Sequence, residues 1–177
     1  MPEVKSKRKV VKPNATVLDV CCGSRMFWFD RDDDRAIFLD KRSETHTLKD
    51  SSTRKGTREL NISPDLQGDF TDLPFADCTF RIVVFDPPHL IRSGDASWLA
   101  KKYGKLEGDW KAELQRAFAE CFRVLVPGGT LVFKWNEYQI KVSEILALTP
   151  ERPLFGNRSG RSSKTHWIVF QKSEVEE

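Results

Sequence analysis

The sequence predicts an α/β fold built on a mostly parallel sheet. Three observations point there. Short apolar runs rich in β-branched residues alternate with stretches of helical spacing. Four of those runs end at or beside an aspartate, Asp19, Asp40, Asp69 and Asp86. The last two apolar segments flank a Gly/Ser/Arg-rich turn, which reads as an antiparallel hairpin at one sheet edge.

In chain order, "ATVLDV" (Ala15 to Val20) reads as a buried strand feeding the turn Cys-Cys-Gly-Ser. "RMFWFDRDDDR" reads as a short helix with an aromatic face, ending in an acidic turn. "AIFLD" (Ala36 to Asp40) is a second strand. Residues Lys41 to Pro64, rich in Ser, Thr, Lys and Arg, predict a loop or a poorly formed helix. "LQGDF" (Leu66 to Phe70) is a weaker strand, and "RIVVFD" (Arg81 to Asp86) a strongly buried one stopped by Pro87 and Pro88. Residues 91–108 predict a loop or small helix. Asp109 is placed to cap a helix whose apolar positions Leu114, Ala117, Phe118, Cys121, Phe122 and Leu125 recur at helical spacing. "PGG" turns the chain into the strand "TLVFKW" (Thr130 to Trp135), and "EYQIKVSEILAL" is an amphipathic helix ended before Pro150. "RPLFG" and "THWIVFQ" form the hairpin.

A chain of 177 residues suits one domain. The expected organisation is a basic arm over 1–13, a single domain over 14–172 and an acidic tail over 173–177. No uncharged apolar run is long enough for a membrane helix. The basic N-terminus lacks an apolar core and is not read as a signal peptide. The cysteines Cys21, Cys22, Cys78 and Cys121 form no CxxC pair, so a reduced, cytoplasmic chain without a metal site is expected. Net charge is only +3, but basic residues cluster at Lys5 to Lys12, Arg54 to Arg58, Lys101 to Lys105 and Arg158 to Lys164. These are either a shared phosphate-binding face or solvated loops.

In parallel sheets ligands sit at the carboxyl ends of the strands. One acid there is an ordinary helix cap; four on one rim suit a ligand with many donors. Asp19 precedes the small-residue turn Cys21-Cys22-Gly23-Ser24, where backbone N–H groups meet a ligand closely. The pattern GxGxxG is absent, which counts against a pyrophosphate. Asp40, followed by Lys41, is placed to accept from ribose hydroxyls. Asp69 is placed to accept from the amine of an adenine, with Phe70 against its ring. Ribose and adenine without phosphates fit S-adenosylmethionine. Asp19, Cys21, Cys22, Gly23, Ser24, Asp40, Lys41, Asp69, Phe70 and Asp86 are the candidate cofactor-binding residues.

"VLDVCCGS", "IFLD", "GDFTDLPF", "FDPPHL" and "RVLVPGGTLVFKW" together resemble the class I S-adenosylmethionine-dependent methyltransferases along nearly the whole chain. The resemblance implies a Rossmann-like, mostly parallel seven-stranded sheet with an antiparallel C-terminal hairpin. "DPPH" is similar to the Asp/Asn-Pro-Pro-aromatic motif of enzymes that methylate exocyclic amines of bases, chiefly adenine N6. The set also resembles small methyltransferases of bacteriophages and prophages. Arg25 stands where the family pattern has its last glycine, Cys21 where a glycine often stands, and His89 where Tyr, Phe or Trp is usual.

The motif has a physical logic. The lone pair of an aromatic amine is delocalised into its ring, so the nitrogen is a weak nucleophile. If Asp86 and the Pro87 carbonyl each accept one N–H, the nitrogen becomes more electron-rich. Pro88 has no N–H to compete, and both prolines lock φ. His89 would stack on the base. Asp86, Pro87, Pro88 and His89 are therefore the candidate catalytic residues. "SWLAKKYGKLEGDW" interleaves Trp98, Tyr103 and Trp110 with Lys101, Lys102 and Lys105, which suits a single-stranded nucleic acid or plain core packing. Lys134, Trp135 and Asn136 end a strand on the same rim, while His166 and Trp167 read as packing residues. The expected function is N-methylation of an exocyclic amine in DNA or RNA, adenine N6 first. The target is read by the chain's own lid and loops or positioned by a partner protein. A small-molecule or protein methyltransferase, and a non-catalytic cofactor-binding subunit, are the alternatives.

Overall fold

The structure is a computed structural model that describes residues 12, 14–94, 97–160 and 163–174. Most of the basic arm and the last three residues of the acidic tail lie outside the described residues. The elements are β1 (Val17–Asp19), β2 (Ala36–Asp40), β3 (Glu44–Lys49), β4 (Thr57–Ile62), β5 (Leu66–Gln67) and β6 (Phe80–Phe85). They continue with α1 (Trp98–Tyr103), α2 (Trp110–Val124), β7 (Leu125–Asn136), α3 (Val142–Leu146), β8 (Phe155–Arg158) and β9 (Thr165–Gln171).

Seven strands form one sheet in the order β5-β2-β1-β6-β7-β9-β8. The pairs from β5 to β7 are parallel, and β9 is antiparallel to both β7 and β8. The chain runs outward from β1 to β5 and then returns to place β6 beside β1. That reversal is a topological switch point, where open α/β sheets hold their ligands. Asp19 pairs in register with Val84, so the Asp86 turn leaves the sheet next to the Cys21-Cys22 turn.

Alternation along the strands decides which face is buried. Leu18, Val83, Phe85, Leu131, Phe133 and Phe170 join Leu114, Ala117, Phe118, Cys121 and Phe122 of α2 and Ile145 of α3 in the main core. Asp109 starts α2 as expected, its carboxylate accepting from Ala112 N at 3.2 Å. The opposite face carries a smaller cluster of Cys22, Ala36 and Phe38 with Val17 and Trp28 against it. Ile82, in the central strand β6, is left 38% exposed there.

Three expectations fail. Residues 25–35 form turns rather than a helix. Gly23 and Arg25 both take left-handed backbone, φ 50° and 54°, which breaks helical propagation at its start. Residues 41–64 contain the antiparallel β3–β4 hairpin rather than a loop or helix. Its strands are mostly solvated, and only Leu60 and Ile62 of β4 are buried, with Trp98 packed on them. So few core positions leave little apolar periodicity to read. "PGG" lies inside β7: the partners of β6 jump from Leu125 to Thr130. Gly128 N and Gly129 O there bond Lys172 instead. Gly129 is needed at this point, because a Cβ would stand 2.8 Å from Val126 O.

Candidate active site

Two cavities open at the switch point and share Asp86 and Tyr103 as walls. The larger, about 600 Å³, is lined by Asp86, His89, Leu90, Leu99, Tyr103, Lys134, Asn136, Tyr138, Lys164 and Thr165. The smaller, about 110 Å³, is lined by Cys21, Asp40, Lys41, Arg42, Phe70, Asp86, Pro88, Tyr103, Gly104, Lys105 and Glu113. Tyr103 comes from the end of α1, where Gly104 turns with φ 77°. A Cβ on Gly104 would meet Pro88 Cγ at 3.0 Å, so glycine lets α1 close against the Pro-Pro turn.

Each acid has a distinct setting. Asp86 Oδ2 is 2.5 Å from Lys134 Nζ, and both side chains are about one-fifth exposed. Burial raises the Asp86 carboxyl above the usual carboxylate range, and Lys134 pulls it back. Asp19 is fully buried and accepts from Trp28 Nε1 at 2.8 Å and from Cys21 N at 3.3 Å. Burial pushes it up to about 7. Asp40 accepts from Gly23 N at 2.8 Å and Arg42 N at 2.9 Å. Asp69 accepts from the Thr71 backbone and hydroxyl and pairs with Lys41 at 3.3 Å. Burial raises its carboxyl, but the Thr71 and Lys41 bonds outweigh that and lower it.

His89 lines the larger cavity, its ring 5.3 Å from Tyr103 and 6.4 Å from Trp135. Burial first, then the Lys134 charge, lowers it to about 4, so the imidazole is neutral at pH 7. Pro87 is buried and Pro88 half-buried. Gln139 fixes the loop beyond the motif: its Oε1 accepts from Ile91 N and Arg92 N, each at 2.8 Å.

Of the candidate cofactor residues, Cys21, Asp40, Lys41, Phe70 and Asp86 line the smaller cavity. The structure does not bring the others there. Gly23 and Ser24 border a separate cavity with Arg31, Asn61 and Ser63, although the Gly23 N–H still donates to Asp40 at the wall of the smaller one. Cys22 is buried against Phe38, and Asp19 lies beneath the turn. Asp69 reaches the cavity only through Lys41. Burial pushes the Cys21 and Cys22 thiols up, which disfavours the thiolate form that a nucleophile needs.

Arg25 accounts for the altered turn. It is 7% exposed, and its guanidinium reaches Arg31 O, Asp32, Ser63 O and Asp65. It also stacks 3.9 Å from the Phe38 ring centroid. Sequence reading missed Arg42, which donates to Lys101 O at 2.9 Å and lies 3.4 Å from Asp40. It also missed Gln139 and Tyr138. Nothing in their spacing marks them, since all three act across the rim between distant segments. Trp110 packs at the core and Trp98 on the hairpin, so of the lid aromatics only Tyr103 reaches the cavities.

The fold is that of the class I methyltransferases. A protein of Pyrococcus horikoshii OT3 superposes with a TM-score of 0.56 at 17% identity, covering 93% of this chain and 85% of its own. A TehB-like SAM-dependent methyltransferase from Corynebacterium glutamicum gives 0.55 at 15%, covering 90% and 81%. The N-methyltransferase NodS from Bradyrhizobium japonicum gives 0.53 at 14%, covering 90% and 86%. No protein-family model matches the chain, and no curated protein matches it in sequence. No helix among the described residues is long and apolar enough to cross a membrane. No group of three or more His, Cys, Asp or Glu among them is arranged to hold a metal ion.

The cofactor this fold implies is S-adenosylmethionine, and the residues present suit it. Asp40 and Lys41 at the end of β2, Phe70 beyond β5 and Asp86 beyond β6 face one cavity. Carboxylates dominate the strand ends, which favours a ribose and a cationic sulfonium. Ligand pockets usually reach about 300–1,000 Å³, so this cavity of about 110 Å³, walled by Arg42 and the end of α1, is smaller than such a pocket.

Proposed function

We propose that the chain is an S-adenosylmethionine-dependent N-methyltransferase that acts on an exocyclic amine of a nucleic-acid base, adenine N6 first. The observation that carries this reading is Asp86, which stands between the two cavities and touches both. A carboxylate there is within reach of an amine on one side and of the cofactor on the other. S-adenosylmethionine, if held in the smaller cavity, would supply an electrophilic methyl group. Asp86 would accept one N–H from the cavity wall and the carbonyl of Pro87, buried behind it, would accept the other, leaving the nitrogen lone pair for the methyl. His89 and Tyr103 flatten the base against the cavity wall, and the proton released from nitrogen leaves through the Asp86 carboxylate. Positioning supplies most of the effect.

Two features favour nucleic acid. Arg58 and Lys102, from separate basic clusters, line one groove of about 370 Å³ with Arg31 and Trp98. Lys164, from a third cluster, borders the larger cavity, where its Nζ lies 4.8 Å from the exposed Tyr138 ring. Cations with aromatic faces on both sides of α1 suit a single strand. A small-molecule amine is the second reading, favoured by the ordinary ligand-pocket size of the larger cavity. NodS is itself named an N-methyltransferase. Incubation with methyl-labelled cofactor and DNA, RNA or small-molecule pools, followed by mass spectrometry of nucleosides, separates the readings. N6-methyladenine in a nucleic acid is the expected product. Label only in small molecules contradicts the proposal. Bound cofactor with no label anywhere points to a non-catalytic subunit.

A further inference from the structure

The amine clamp has a support that its own motif does not contain. Lys134 stands across the sheet from Asp86, one position beyond the Phe85–Phe133 pair, with its ammonium on Asp86 Oδ2. That ammonium is itself held: Nζ is 5.4 Å from the Phe27 ring and 5.5 Å from the Trp167 ring. The two rings meet edge to face at 5.5 Å. Two aromatic faces within about 6 Å of a cation attract it, the more so away from water. Phe27 belongs to the segment that forms turns where a helix was expected, and its neighbour Trp28 bonds Asp19. One short stretch therefore braces both carboxylates at the switch point.

The surroundings of Asp86 are otherwise hostile to a negative charge. Asp19 and Cys21 face it from β1 and its turn, and Asp40 lies close enough to add to the field on both. His89, neutral at pH 7, and Tyr103 line the larger cavity, which Lys164 also borders. Lys134 is the cation in direct contact.

We propose that Lys134 is a positioning residue that keeps Asp86 ionised and turned into the larger cavity, and that Phe27 and Trp167 hold Lys134 in place. This rests on the reading of Asp86 as the acceptor for the amine. A neutral Asp86 has lost acceptor capacity and presents an O–H to the amine, so the clamp works only while the pair is intact. Arginine keeps the charge and methionine keeps the bulk without it.

The test reads the Asp86 carboxyl carbon by NMR, assigned by its loss in Asp86→Asn, in the protein without cofactor or substrate. In Lys134→Met it should titrate about one pH unit or more above wild type, and in Lys134→Arg close to wild type. Phe27→Leu should shift it the same way by less, and serves if Lys134→Met does not fold. In turnover, Lys134→Met should lower kcat about tenfold or more at neutral pH, recover as pH rises, and leave cofactor Kd within about threefold. An unchanged titration with unchanged kcat overturns the inference. If Lys134→Met is normal while Asp86→Asn is inactive, Lys134 alone has been misread. If Asp86→Asn is fully active, the clamp itself is wrong, whatever the titration shows.

Discussion

Trp28 donates its indole N–H to the carboxylate of Asp19, 2.8 Å away, in the dry layer beneath the strand ends. This bond couples a residue from the irregular segment after β1 to the acid that ends β1. It lowers the Asp19 carboxyl without offsetting burial, which still lifts it to about 7.

That lift has a sign. The folded chain holds the Asp19 proton more tightly than the unfolded chain, so the stability it contributes is complete below about pH 4 and is lost as pH rises through 7. Asp19→Asn keeps an acceptor for Trp28 but cannot ionise. Urea unfolding of this variant should show a flatter stability profile between pH 4 and 7 than wild type. Parallel profiles would mean that Asp19 is ordinary in the folded chain.

Placing glycine at position 25 should destabilise the chain. Glycine relieves a left-handed backbone worth about 1–2 kcal/mol. Removing a buried cation from its partners costs about 3–5 kcal/mol. Asp65, 11% exposed, would lose its 3.2 Å contact with Arg25 and keep the Phe38 N–H at 3.3 Å and Lys12 at 3.7 Å. Arg25→Gly should thus lose about 1–4 kcal/mol net, read as a lower denaturation midpoint.

His89 should act as a flat neutral surface rather than a base. Its ring should titrate at about pH 4, with no His89 step near pH 6.5 in the activity profile. His89→Phe should keep activity. His89→Ala should raise KM for the target by roughly 5- to 150-fold, matching about 1–3 kcal/mol of stacking, with cofactor Kd unchanged. A dead Phe variant would assign the imidazole a proton-transfer role.

The parts of this account that the sequence made legible are those with local signals. "AIFLD" is continuous because β2 is buried on both faces, and Asp109 is visible because a cap precedes its helix. The rim acids were visible because each ends an apolar run. What stayed hidden acts across the chain. Arg25 looked like a lost glycine, yet it ties together residues up to 40 positions away. The β3–β4 hairpin buries two side chains of β4 and so has no amphipathic signature. Gly23 and Ser24 follow the motif by spacing, yet the left-handed backbone at Gly23 and Arg25 that places them beside another cavity has no signal in the residue types.

The most direct measurement compares methyl transfer and cofactor binding in Asp86→Asn. The side chain keeps its size, and Lys134 keeps an oxygen to bond. Transfer should fall by roughly 10²-fold or more, by analogy with a lost charge-stabilising group, while cofactor Kd stays within a few-fold. Transfer at the wild-type rate, or a collapse of cofactor binding, would contradict the placement of Asp86 as the acceptor for the amine.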